Sequence, residues 1–191
     1  MHVPDGMDWE MAGGFTLTHT TSHAALVHER VNLKAGEVLL VHGAAGGVGT
    51  TAVQIGKALG CTVVATAGSD DKAQFALENG ADFAINYSSE DIRTRVKELV
   101  GGADVVYDPV GGEAFSASLR CINFEGRIIV IGFASGDIPK IPTNYPLVKC
   151  FTVDGFVWGA YHRKKVAVIH EGYAGLQKIW ATGTLKPHIS K

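Results

Sequence analysis

After residue 36 the chain alternates short β-branched runs with longer segments whose apolar residues recur every three or four positions. The runs fall at 38–41, 62–66, 83–85, 104–107, 127–131 and 151–153. They are apolar at successive positions rather than at every second one, which predicts strands covered on both faces. Between the first two runs, Val48, Ala52, Ile55 and Leu59 form one helical stripe that ends at Gly60. The next helix opens at Asp70 or Asp71, carries Phe75 and Leu77, and closes at Asn79-Gly80. Ser88 with Asp91 reads as a capping box ahead of Ile92, Val96 and Leu99. A fourth helix is expected at about 113–121, and a last one at 162–181 carrying Val166, Ile169, Tyr173, Leu176 and Trp180.

Strand–helix–strand repetition with short connections predicts a parallel sheet with right-handed crossovers. The fold class is therefore α/β, a doubly wound, Rossmann-like parallel sheet of about six strands. Residues 16–33 read as a helix ending near Leu33, and 134–149, with three of the six prolines, read as a loop or edge segment. The last segment, KPHISK, follows with no strand.

Composition narrows the function classes. The chain has 191 residues, 46% of them hydrophobic, and a net charge of −2. That length suits one substantial core. No basic run exceeds Arg163-Lys164-Lys165, read as a solvated helix start, so a nucleic-acid partner is not expected. Cys61, Cys121 and Cys150 are too widely spaced for a disulfide framework or a zinc site and read as buried reduced thiols. No apolar run reaches the roughly 18 residues of a membrane span, and no signal peptide is evident, so a cytoplasmic location without a membrane partner is expected.

The sequence VLLVHGAAGGVGTTAVQIGKALG, residues 38–60, places its small residues where the first strand turns into the first helix. Such a turn aims unpaired N–H groups and the positive helix end beyond the strand, where a pyrophosphate docks. The P-loop pattern fails, because five residues on from Gly43 stands Val48 where its second glycine should be. The dinucleotide pattern fits as A-x-G-x-x-G over Ala44, Gly46 and Gly49. A short-chain dehydrogenase pattern also matches, with Gly43, Gly47 and Gly49 and with Tyr161 and Lys165. It lacks the serine expected about a dozen residues before the tyrosine, and its tyrosine and lysine come after the sixth strand. A purely structural turn is the remaining reading, against the backbone entropy that three glycines cost.

The end of the second strand, Ala65-Thr66-Ala67-Gly68-Ser69, has no carboxylate about 20 residues beyond the glycines, where an NAD site puts one. That leaves room for a 2′-phosphate, which Lys72 could neutralise and Ser69 could hydrogen-bond. An ordinary surface lysine is the equal alternative for Lys72.

With HGAAGGVG (42–49), ATAGSDDKAQFALENGAD (65–82), INY (85–87), VVYDPVGG (105–112) and GRIIVIGFASG (126–136), the chain resembles the quinone oxidoreductase (zeta-crystallin-like) branch of the medium-chain dehydrogenase/reductase superfamily. The resemblance implies an NADP(H)-binding domain. Ser69, Lys72 and Tyr87 would hold the adenosine 2′-phosphate, and Ala45, Gly46, Gly47, Val48 and Gly49 would line the pyrophosphate. Thr21, Val110, Gly132 and Phe133 would lie near the nicotinamide. The branch is zinc-independent, and His19 and His23, at i and i+4 on one helix face, read as ordinary histidines. Members carry a β-rich catalytic domain before the cofactor domain, so residues 1–23 read as its remnant with the start of a connecting helix. Residues 24–191 read as the cofactor domain, with the closing part of the family fold truncated.

Three functions stay open. The first is the cofactor half of a reductase transferring hydride to a small-molecule quinone or enone. The second is an alkenal or enoyl reductase of the same superfamily. The third is a non-catalytic dinucleotide-binding protein. No catalytic residue is expected, because the cofactor carries the chemistry, and negligible turnover is expected of this chain alone. The family also implies a homodimer through the sheet edge at 150–156.

Overall fold

A computed structural model describes residues 2–189. The first helix, α1, is Trp9–Val27. Then come β1 Val38–Val41, α2 Gly47–Ala58, β2 Thr62–Ala67, α3 Asp70–Glu78 and β3 Phe83–Asn86. The second half runs α4 Ile92–Val100, β4 Ala103–Asp108, α5 Gly112–Cys121, β5 Ile122–Val130, α6 Asn144–Lys149, β6 Thr152–Gly155, α7 Trp158–Lys164 and α8 Val166–Trp180.

The six strands form one sheet in the order β3-β2-β1-β4-β5-β6, and every pair is parallel. This is the doubly wound, Rossmann-like architecture that the alternating pattern predicts. Neighbouring residues of a strand feed opposite layers. Leu39, Val41, Val63 and Val105 pack toward α1, α2 and α8, while Leu40, Val64, Val106 and Ile128 pack toward α4 and α5. Burying each such side chain contributes about 1.5–3 kcal/mol, which is why the strands cannot alternate polar and apolar. The strand order reverses between β1 and β4, so their carboxyl ends open a crevice.

Several local expectations are corrected. Helix α1 begins seven residues earlier than its periodicity suggested, because Asp8 caps it by accepting from the Met11 N–H at 2.7 Å, and it ends at Val27 rather than Leu33. Helix α3 does open at Asp70, with Ser69 as its N-cap. Ala76, rather than Leu77, is that helix's buried residue. There is no capping box at Ser88: Asp91 caps α4 through the Thr94 N–H at 2.8 Å, and the Ser88 hydroxyl donates to the Gly68 carbonyl.

Strand β5 follows α5 directly and pairs Ile122 with Ala103 before its register shifts, with Glu125 at φ 57° absorbing the irregularity. The proline-bearing segment contains α6, whose Pro146 sits in the first turn, where no N–H is needed. The final helix is two, broken at Lys165 with φ −145°. Cys150 is exposed rather than buried, whereas Cys61 and Cys121 are buried and free, with burial pushing both thiols up to about 11.

Candidate functional site

The glycine turn after β1 is fixed from below. The Ala44 N–H donates to the Thr66 carbonyl of β2 at 3.0 Å, and the Thr50 hydroxyl donates to the Ala44 carbonyl at 3.0 Å. Gly43 takes φ 57°, and a Cβ at Gly49 would overlap the Gly43 carbonyl oxygen, so α2 meets the turn backbone against backbone. The N-cap of α2 is Gly46, which has no side chain to cap with. The N–H groups of Gly47, Val48 and Gly49 have no hydrogen-bond partner among the described residues. These donors line a cleft of about 840 Å³ at the reversal point of the sheet.

The facing wall comes from the end of β4. Asp108 is fully buried and accepts from the Val110 and Gly111 N–H groups at 2.8 and 2.9 Å, bending the chain into α5. Gly111 at φ 73° has the Asp137 carbonyl 2.8 Å from where a Cβ would stand. Two helix N-termini, those of α2 and α5, therefore open on one space with no side-chain cap at either. Such a space suits an anion with a flat, partly apolar body.

At the far end stand Lys72 and Tyr87. Both are exposed, and the Lys72 ammonium has no ion-pair partner among the described residues. The nearest carboxylate past β2, Asp70, is turned onto β3, accepting from the Asn86 side chain at 2.7 Å. Glu90 also lines the cleft but is paired with Arg95 at 2.7 Å. A cation beside a phenol is the chemistry that a phosphate on a ribose needs.

Beneath the turn lies a buried polar cluster. His42 reaches the Thr66 hydroxyl at 2.9 Å and the Ser118 hydroxyl at 2.7 Å. The Ser118 hydroxyl donates its one proton to the Ala114 carbonyl, so His42 donates from Nε2 and accepts at Nδ1. Burial holds this imidazole below its ordinary range, against the opposing pull of Asp108.

Of the residues expected at the site, Ala45, Gly46, Gly47, Val48, Gly49, Lys72, Tyr87 and Val110 line this one cleft. Ser69 lies beside it, half-buried, its hydroxyl accepting from the Lys72 N–H at 3.4 Å while keeping its own proton to donate. Thr21 is not brought to the cleft. It is buried on α1 with its hydroxyl on the Leu17 carbonyl at 2.7 Å. Gly132 and Phe133 fall just outside the lining, Phe133 being 42% exposed, while Ala134, Ser135 and Asp137 lie within it.

The sequence reading missed Gly43, Gly111 and Gly112, although the GG pair in VVYDPVGG signals a turn needing positive φ. Tyr161 of the rejected short-chain pattern lies outside the cleft lining, stacked on Phe156 at 4.5 Å and accepting from Arg30 at 2.7 Å. His19 and His23 are both buried, and no group of three metal-ligating side chains occurs among the described residues.

Comparison with known proteins agrees with this fold. The family described as zinc-binding dehydrogenase matches residues 47–171. The rat protein called quinone oxidoreductase-like protein 2 is 35% identical over 189 residues, 97% of this chain and 54% of that protein. The Escherichia coli quinone oxidoreductase solved in complex with NADPH superposes with a TM-score of 0.86 at 30% identity, covering 100% of this chain and 59% of that one. CurK enoyl reductase superposes at 0.85 with 28% identity, covering 100% of this chain and 57% of its own. The chain thus spans about half the length of the curated relatives it matches first.

Proposed function

We propose, since the chain belongs to the zinc-binding dehydrogenase family and within it to the quinone oxidoreductase branch, that it is the NADP(H)-binding part of an oxidoreductase acting on a quinone or related enone. The observation that carries this reading is one cleft with unpaired helix amides at its turn and an unpaired Lys72 beside Tyr87 at its end. Gly47, Val48 and Gly49 would bind the diphosphate through their N–H groups. Lys72, Tyr87 and the Ser69 hydroxyl would hold the 2′-phosphate, and Val110 would support the ring at the other wall.

A reduced nicotinamide held by these residues would supply the hydride chemistry. The chain's own residues orient and clamp; none is asked to move a proton. The match to an enoyl reductase structure favours reduction of an activated C=C as the second reading. Strand β6 is an outer strand of the sheet, paired only with β5, which supports the proposal that a homodimer forms along it.

The test is fluorescence titration with NADPH and NADH. NADPH is expected to bind about tenfold or more tightly, and Lys72→Ala to remove that preference, as loss of a charge-assisted contact should. Equal affinities for the two cofactors would overturn the phosphate assignment.

A further inference from the structure

Helices α4 and α5 pack side by side, and with residues 140–145 they enclose a groove of about 380 Å³. Arg93 on α4, Arg120 on α5 and Lys140 on the following loop line it. None of the three has an ion-pair partner among the described residues. The one carboxylate in the lining, Asp91, is already engaged by the Thr94 N–H at 2.8 Å and the Thr94 hydroxyl at 2.6 Å. The phenol of Tyr145 is a further wall group with no hydrogen-bond partner among the described residues.

Positive charge also gathers just behind the groove. The Lys149 ammonium donates to the Ile122 and Arg120 carbonyls at 2.7 and 3.1 Å. It is held below the ordinary lysine range by burial first, then by Lys97 and Arg93. Asp91 is the counter-charge in the lining, its carboxyl lowered first by the Thr94 hydrogen bonds and then by Arg93 and Arg120. One carboxylate thus faces three cations, and two guanidinium forks with an ammonium match the oxygens of a phosphate.

We propose that this groove is a second binding site, for a small molecule bearing a phosphate or short polyphosphate group. It is separate from the glycine turn, and it adjoins the cleft where Asp91 and Ala117 line both. The multivalent oxyanion would neutralise the three cations, with the Tyr145 hydroxyl donating to a fourth oxygen.

Calorimetric titration of the full chain with inorganic tripolyphosphate tests this. Saturable binding is expected, weakened at least about tenfold by Arg93→Gln with Arg120→Gln and weakened by added salt. Absence of saturable heat overturns the proposal. So does undiminished binding by the double variant, which would place the anion at the glycine turn. Circular dichroism checks that the double variant folds; if it does not, Lys140→Gln, on an exposed loop, decides by the same criterion.

Discussion

The phenolic oxygen of Tyr87 lies 2.8 Å from where a Cβ of residue 68 would stand. Tyr87 is placed there by its own N–H, which donates to the Ala67 carbonyl at 3.0 Å, so the ring lies across the end of β2 only because Gly68 is bare. Gly68→Ala is therefore expected to push the phenol away from the 2′-phosphate position. NADPH affinity should fall about tenfold, the value of one charge-assisted hydrogen bond, with NADH affinity nearly unchanged. Parallel fluorescence titrations read this directly, and an equal loss for both cofactors would instead mean that the whole cleft had moved.

A different outcome is expected at Gly49. There an added Cβ meets the Gly43 carbonyl and the Ala44 backbone, which no rotamer change can clear. Gly49→Ala should open the contact between α2 and the turn and lower stability by about 1–3 kcal/mol, a range typical of an overpacked buried position. Urea unfolding measures the loss, and both cofactors should bind more weakly together.

These two glycines also show what the sequence made legible. The pattern of apolar runs located all six strands, β5 five residues late at its start, because the inner strands are covered on both faces. β6, an outer strand with no buried residue, does not share that cover. The glycine turn was readable because a strand, three glycines and a periodic helix occur in order. Lys72 and Tyr87 came through resemblance, since a lysine on a helix and an aromatic at a strand end are ordinary taken singly. Thr21 shows the limit. A threonine on a helix can bond back to the carbonyl four residues earlier, and whether it does so or faces a ligand depends on packing. Asp8, Ser69 and Asp91 were similarly ambiguous among neighbouring polar residues, and the break at Lys165 has no proline or glycine to announce it.

His42 is the next test. Its ring joins Thr66 of β2 to Ser118 of α5 beneath the turn, in a site closed to water. His42→Ala would leave both hydroxyls without that partner and open a cavity, at a cost of about 3 kcal/mol. His42→Gln, which retains a donor and an acceptor, should recover part of it. Thermal or urea denaturation distinguishes the variants, and equal stabilities of wild type and His42→Ala would show that the network contributes nothing.

The last prediction concerns pH. His19 stacks on Phe15 at 4.4 Å, and the His23 ring lies against Gly175 of α8. Burial alone lowers both from 6.5 to about 4. In the unfolded chain each titrates near its ordinary value, so between about pH 6.5 and 4 the unfolded state binds protons that the folded state refuses. Stability is then fully present above pH 6.5 and declines as the pH falls toward 4, by up to about 3 kcal/mol per histidine. The interface between α1 and α8 should open first, since both rings sit on α1 and that helix packs on α8. Urea midpoints measured from pH 7.5 to 4.5 should fall steadily in wild type. The double variant His19→Gln with His23→Gln should begin less stable at pH 7.5 yet show a much shallower slope, whereas an unaltered slope would place the responsible protons elsewhere.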